Sequence, residues 1–157
     1  MNPTKNSLSQ KSRTQVAALL NQSLADLGDL YSQAKQAHWN VRGPHFYSLH
    51  KLFDDLAASV EAHLDDIAER VTALGGIAQG TIRQAASASR LSEFPVKLKD
   101  DLAFVAALRD RFAAAANSTR KAIDEADDLG DADTADLFTG VSRDLDKALW
   151  MLEAHNV

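Results

Sequence analysis

Apolar residues recur every three or four positions along most of the chain, which is the spacing of amphipathic helices. The first such pattern runs from about Ser12 to His38, and the segment 40–44 ends it. A second pattern follows Pro44, which suits the first turn of a helix, and stops at the Gly75–Gly76 pair. The first half of the chain therefore predicts two long helices joined by a short turn.

The second half predicts two more long helices after a long connection. Residues 77–96 form this connection, and the segment from Thr81 to Ala88 is predicted to be a short helix within it. The third long helix is predicted from about Lys97 to Ala126 and the fourth from about Thr134 to Glu153. Four long helices with one long crossover predict an all-α, ferritin-like four-helix bundle, with a short extra helix between the second and third long helices.

Composition supports this fold class. The 157 residues include 27 Ala and 20 Leu, but Val, Ile and Thr together number only 19. Ala and Leu favour helices, whereas β-branched residues favour strands. We expect one bundle domain over residues 12–157, preceded by a flexible N-terminal tail, residues 1–11.

The lack of cysteine and of a long apolar run excludes some kinds of site and of protein. The sequence contains no cysteine, which excludes thiolate metal sites and disulfides. The longest apolar run, residues 102–108, is much shorter than the roughly 20 residues of a membrane span. The expectation is a cytoplasmic protein with no membrane partner.

A histidine and three carboxylates share one side of the second helix. At 100° per residue, His50, Asp54, Asp65 and Glu69 fall within a sector of about 100° beside the apolar stripe. A solvated charged face would explain them. However, few basic residues interleave with them, and imidazole plus carboxylate is a ligand set for iron or zinc.

The length of the helix restricts how these side chains could share a metal. Asp54 and Asp65 are 11 residues apart, or roughly 16 Å along a helix, so one helix cannot bring both to one ion. The Glu-x-x-His motif of di-iron bundle cores is absent. Two copies of the helix packed antiparallel about a two-fold axis would use both pairs and form two identical sites. His38 is either a core histidine of the first helix or a third ligand.

Several segments resemble one known family. The stretch from Gln36 to Phe46, QAHWNVRGPHF, resembles the signature of the Dps family, DNA-binding proteins from starved cells. His50-x-x-x-Asp54 and residues 63–70 are similar to its second helix, and residues 142–150 to its last helix. The similarity extends over about residues 12–157 and implies a ferritin-like shell of 12 subunits.

The resemblance also implies an activity and its residues. The family oxidises Fe(II), typically with hydrogen peroxide, and stores ferric mineral, which protects DNA. The chain is thus expected to be an oxidoreductase (a ferroxidase) with two iron sites per dimer interface, each considered as a dinuclear centre. The implied catalytic and metal-binding residues are His38, His50 and Asp54 of one subunit and Asp65 and Glu69 of its neighbour, with Trp39 beside the site.

An acidic segment has two compatible interpretations. Residues 124–136 contain seven carboxylates and no Lys or Arg. Asp133 as N-cap and Asp136 in the first turn would stabilise the last helix. In the family, acidic residues near the start of this helix line three-fold pores through which Fe(II) enters. The expected lining residues are Asp127, Asp131 and Asp136.

The net charge of −5 is unevenly distributed, because Lys5, Lys11 and Arg13 all precede the first acidic residue, Asp26. These three cations could bind DNA phosphates feebly, with avidity from several tails, or simply solubilise the chain end. We therefore expect an iron-oxidising and iron-storing shell with weak DNA binding as a secondary role. One alternative is a protein whose main role is DNA compaction. Another is a structural helical oligomer, in which the polar stripe forms interface salt bridges.

Overall fold

The computed structural model describes residues 1–155. Over these residues the chain forms helices and no strands, so the predicted all-α class is confirmed. The five helices, in chain order, are α1 (Gln10–Asn40), α2 (Phe46–Ala73), α3 (Ile82–Ala88), α4 (Asp101–Asp128) and α5 (Ala132–Glu153).

The four long helices form the bundle, with α1 packed chiefly on α2 and α4 chiefly on α5. Large apolar side chains from all four helices are fully buried between them, among them Leu20, Phe53, Phe112 and Phe138. Burying each such side chain contributes about 1.5–3 kcal/mol. The periodic stripes read from the sequence therefore do become the core.

The starts of three helices differ from the sequence prediction. The first helix starts at Gln10 rather than near Ser12, because Ser9 caps it by accepting the backbone N–H of Ser12 at 3.0 Å. Lys11 consequently lies inside α1. The third long helix starts at Asp101 rather than near Lys97, because the Asp100 side chain accepts the backbone N–H of Ala103 at 2.8 Å.

The start of the last helix also differs. Gly130 takes a φ of +80° directly after the C-cap residue of α4, and this tight turn lets α5 start at Ala132, earlier than the predicted Thr134. The N-cap of α5 is Asp131, which accepts the backbone N–H of Thr134, and not Asp133, which lies in the first turn. Asp133 still favours the helix dipole there.

The crossover between α2 and α4 is tied to α1. Thr81 and Gln84 form a capping box that starts α3. Beyond α3, the guanidinium of Arg90 donates to the buried carboxylate of Asp26 at 2.6 and 3.0 Å. None of the helices within residues 1–155 is both long enough and apolar enough to span a membrane.

Candidate metal centre

Two histidines meet where α1 ends and α2 begins. The rings of His38 and His50 are stacked, with their centroids 3.8 Å apart and an interplanar angle of 19°. The Nδ1 atom of His38 lies 2.7 Å from the carbonyl oxygen of His50, and Nδ1 of His50 lies 2.9 Å from the carbonyl oxygen of His38. The short turn between the helices makes this reciprocal pairing possible.

The pairing fixes which nitrogen of each ring carries a proton. A carbonyl oxygen can only accept a hydrogen bond, so each Nδ1 must carry the proton and donate it. In a neutral imidazole the other nitrogen, Nε2, then keeps its lone pair. A hydrogen bond from one ring nitrogen to a carbonyl is also how proteins orient metal-binding histidines. His38 and His50 are therefore both prepared to bind a metal through Nε2.

Asp54 lies one turn after His50 on α2, beside the same pair. Its Oδ1 atom is 4.0 Å from Nε2 of His38. The same oxygen accepts a hydrogen bond from Nζ of Lys35 at 2.7 Å. The Lys35 hydrogen bond lowers the pKa of Asp54 and raises that of Lys35. Both groups are consequently charged near neutral pH, and an ammonium lies on the carboxylate that was predicted to bind iron.

The sequence analysis missed Lys35, although a signal for it exists. Lys35 precedes His38 by three residues and therefore shares its face of α1. The Nζ atom also lies 5.9 Å from the centre of the Trp39 ring, within cation–π range. Trp39 thus lies beside Lys35 and is 66 % exposed.

Phe46 is a second aromatic neighbour that the sequence analysis did not assign to the site. Its ring stacks on that of His50, with centroids 5.2 Å apart. Trp39, Phe46 and the adjacent Tyr47 are all exposed. Large aromatic side chains are enriched where a protein surface is covered by a partner.

The other two predicted ligands lie elsewhere. Asp65 and Glu69 are exposed and make no side-chain hydrogen bond or ion pair within residues 1–155. Across the described part of the chain, no three histidine or carboxylate side chains are placed so that they could hold one metal ion. The structure therefore brings His38, His50 and Asp54 close together and leaves Asp65 and Glu69 apart from them.

Known proteins with similar sequences cover nearly the whole chain. A family model described as a ferritin-like domain matches residues 17–157. A DNA protection during starvation protein from Agrobacterium fabrum is 45% identical over 152 residues, which are 97% of this chain and 94% of the relative. A protein of the same name from Mycolicibacterium smegmatis is 32% identical over 148 residues, 94% of this chain and 80% of the relative.

Solved structures are also similar to this chain over nearly its whole length. The tetragonal form of Mycobacterium smegmatis Dps has a TM-score of 0.93 at 32% identity and covers 98% of this chain and 94% of its own. The Vibrio cholerae O1 protein, described as a member of a broad superfamily of ferritin-like diiron-carboxylate proteins, has a TM-score of 0.91 at 25% identity, covering 100% and 98%. The chain belongs to the Dps family of ferritin-like proteins.

The acidic segment of this Dps-family chain divides into bound and free carboxylates. Asp131 is buried, accepts hydrogen bonds from the backbone and side chain of Thr134, and forms an ion pair with Arg70 at 2.7 Å. Its carboxylate is therefore occupied within the subunit, in a structural role that the pore prediction did not foresee. Asp127 and Asp136 are exposed.

The three cations of the N-terminal segment also differ in their surroundings. Arg13 donates to the carbonyl oxygens of Leu8 and Leu74, at 3.3 and 3.0 Å. Lys5 and Lys11 are exposed. Of the three residues predicted to contact DNA, Arg13 is thus already bound within the subunit of this Dps-family protein.

Proposed function

We propose that this protein forms a shell that oxidises Fe(II), with hydrogen peroxide as the oxidant, and stores the ferric product. The observation that carries the proposal is the reciprocal pair of His38 and His50, with both Nε2 lone pairs available beside Asp54. The absence of a complete ligand set within residues 1–155 supports a site shared by two subunits. In such a site, the partner subunit's Asp65 and the partner subunit's Glu69 supply the remaining ligands.

The relatives support the general part of this proposal. The Agrobacterium fabrum relative is named for DNA protection during starvation, and the Vibrio cholerae relative is described as a ferritin-like diiron-carboxylate protein. DNA protection and iron handling follow for this chain by family membership. The peroxide oxidant, the dinuclear centre in each site, the two sites per dimer interface and the shell of 12 subunits are the finer parts of the proposal.

Each side chain has a defined task in the proposed reaction. The Nε2 atoms of the histidines bind Fe(II), which is the substrate, and Asp54 contributes a negative charge. Fe(II) must displace the Lys35 ammonium from Asp54, and the greater charge of the metal favours this exchange. Two Fe(II) ions and one hydrogen peroxide take up two protons and give two Fe(III) ions and two waters. Carboxylates then stabilise the harder Fe(III) ion.

The route of iron and the contact with DNA belong to the same proposal. Asp127 and Asp136 are the exposed carboxylates proposed to line a pore for Fe(II), where copies around a three-fold axis would concentrate negative potential. DNA protection comes chiefly from removal of Fe(II) and peroxide. Lys5 and Lys11 offer too little positive charge for strong binding of DNA at physiological salt.

Mixing two inactive variants tests the shared site. One variant carries His50→Ala and Asp54→Ala, and the other carries Asp65→Ala and Glu69→Ala. Each alone should be inactive, because every site loses ligands. When both are unfolded, mixed equally and reassembled, about half of the dimers are mixed, and each mixed dimer regains one intact site. Peroxide-dependent Fe(II) oxidation should return to about a quarter of the wild-type value.

Controls make this result decisive. We refer to the sector of α2 that holds His50, Asp54, Asp65 and Glu69 as the ligand stripe. A variant with Asp55→Asn and Asp66→Asn changes exposed carboxylates of α2 that lie outside the ligand stripe, and it should keep full activity. Mass spectrometry of the reassembled shells shows whether the variants have mixed. Well-mixed shells without any recovered activity would contradict a site shared between subunits.

A further inference from the structure

The turn between α1 and α2 is held by a carboxylate from α4. Asp101, the first residue of α4, is only 3 % exposed. Its Oδ2 atom accepts the backbone N–H of His45 at 2.8 Å and lies 3.1 Å from Nδ1 of the His45 ring. The backbone hydrogen bond from His45 is the largest of the influences that lower the pKa of Asp101. The carboxylate is therefore charged and anchored at neutral pH.

The turn itself is shaped to admit this carboxylate. Gly43 has a φ of +146°, a conformation that residues with side chains rarely adopt. A Cβ atom at this position would lie 2.5 Å from Oδ2 of Asp101. Two independent features of the turn, the missing side chain of Gly43 and the donors of His45, thus converge on one carboxylate oxygen. We refer to Gly43, His45 and Asp101 as the turn clamp.

The turn clamp lies next to the histidine pair along the chain. His45 is the N-cap residue of α2 and makes no side-chain capping bond to its own helix. The next residue, Phe46, stacks on His50, and His50 in turn bonds to the carbonyl oxygen of His38. The position of the His45 backbone therefore sets where the first turn of α2 starts, and with it the place of His50.

We propose that Asp101 is a positioning residue for the iron site, holding the α1–α2 turn so that both histidine Nε2 atoms face one metal. This inference rests on the proposed iron-binding function of His38 and His50. Asp101 contacts neither His38 nor His50, and it acts on them through His45 and Phe46. Groups that orient metal ligands from outside typically change metal affinity by about 10–100-fold when they are removed. Because Asp101 acts through intermediate residues, we expect a change in metal affinity of about tenfold, the lower end of this range.

A second buried carboxylate provides a matched control. Asp26 is also 3 % exposed and binds Arg90 through two guanidinium hydrogen bonds and one backbone hydrogen bond. It joins α1 to the crossover and lies 12 residues before His38, roughly 18 Å along the helix. Loss of Asp26 should weaken the fold without moving the histidine pair.

The experiment measures cobalt(II) binding to the assembled protein. Cobalt(II) takes the same nitrogen and oxygen ligands as Fe(II), and its visible absorption reports on ligand geometry. Asp101→Asn keeps the size of the side chain but removes its charge. We expect it to weaken cobalt binding about tenfold and to alter the visible spectrum. Asp26→Asn should lower the thermal midpoint but leave the cobalt affinity and spectrum as in the wild type.

A second substitution changes the turn clamp at Gly43 instead of Asp101. Gly43→Ala is strained by its φ and by the approach of Asp101, so it should weaken cobalt binding in the same direction. His45→Ala keeps the backbone hydrogen bond and should have a smaller effect than Asp101→Asn. This order of effects on cobalt affinity would not be expected if the turn clamp contributed only to general stability.

The outcomes separate the two proposals. If Asp101→Asn binds cobalt with unchanged affinity and spectrum, or changes them no more than Asp26→Asn does, Asp101 is not a positioning residue. His50→Ala should abolish cobalt binding at the site. If His50→Ala binds cobalt as the wild type does, the proposed iron site itself is wrong, and the inference about Asp101 is overturned with it.

Discussion

The two ends of the ligand stripe on α2 are built in different ways. At one end, His50 is fixed by the ring and carbonyl of His38, and Asp54 is fixed by Lys35. At the other end, Asp65 and Glu69 are exposed and make no side-chain bond within residues 1–155. One end is thus organised by contacts within its own subunit. The other end depends on what faces it in the assembly, so the two ends should respond differently to substitution.

The largest effect is expected from neutralising the exposed end. Asp65→Asn combined with Glu69→Gln should slow peroxide-dependent Fe(II) oxidation by more than the roughly 10–100-fold that loss of a group outside the metal ligands typically costs, because each shared site loses both of its exposed carboxylates. The thermal midpoint of the metal-free protein should stay the same or rise slightly, since neither carboxylate has a side-chain partner within residues 1–155 of its own subunit. Stopped-flow absorbance at stoichiometric iron and a thermal melt measure the two quantities.

His50→Ala provides the other half of this comparison. It should slow oxidation as strongly, but it should also lower the thermal midpoint, because the stacked ring and its hydrogen bond to His38 are lost. Normal oxidation after the double substitution of Asp65 and Glu69 would show that one subunit completes the site alone.

The sequence could predict the organised end only in part. Helical periodicity placed His38 and His50 on adjacent helices, and the Dps resemblance named them together with Asp54. The reciprocal bonds to backbone carbonyls could not be predicted, because they depend on the register of α1 against α2 and on the turn between them. Lys35 was missed for a related reason, since a long flexible side chain can reach many partners and only the packed structure selects Asp54.

Local signals also failed where two candidates were close together. Asp131 and Asp133 are both acceptable N-caps for α5, and the actual cap depends on where Gly130 ends α4. Once Asp131 becomes the cap, it is buried against Arg70 and is no longer a free acidic residue. By contrast, the four long helices and the short helix in the crossover were predicted correctly, because their signals extend over many residues.

A smaller effect is expected from removing the lysine that holds Asp54. Lys35→Gln should strengthen cobalt(II) binding, because the metal no longer has to displace an ammonium from the carboxylate. The ion pair is partly exposed to solvent, so its free energy is modest and the gain in affinity should be about two- to fivefold. Lys121→Gln is the matched control, since Lys121 is exposed on α4 and is not among the charges that act on Asp54, so it should change the affinity little. Weaker binding in Lys35→Gln would instead make Lys35 a supporting part of the site.

The smallest effect is expected in how the thermal midpoint depends on pH, because the charge of Asp101 holds the turn beside the organised end. Its pKa is lowered from the ordinary value of 3.8, first by the hydrogen bond from the His45 backbone. A carboxylate with a lowered pKa stabilises the folded state above its unfolded pKa, and this contribution is lost as the pH falls through the folded pKa. The thermal midpoint of Asp101→Asn should therefore lie below that of the wild type between about pH 5 and 7. The difference should begin to narrow below about pH 4, where the carboxylate of the unfolded wild type takes up a proton, and should close as the pH falls through the lowered pKa of the folded state. Melting curves of both metal-free proteins across this range measure it. A difference that stays constant down to pH 3 would mean that the charge of Asp101 does not contribute to holding the turn.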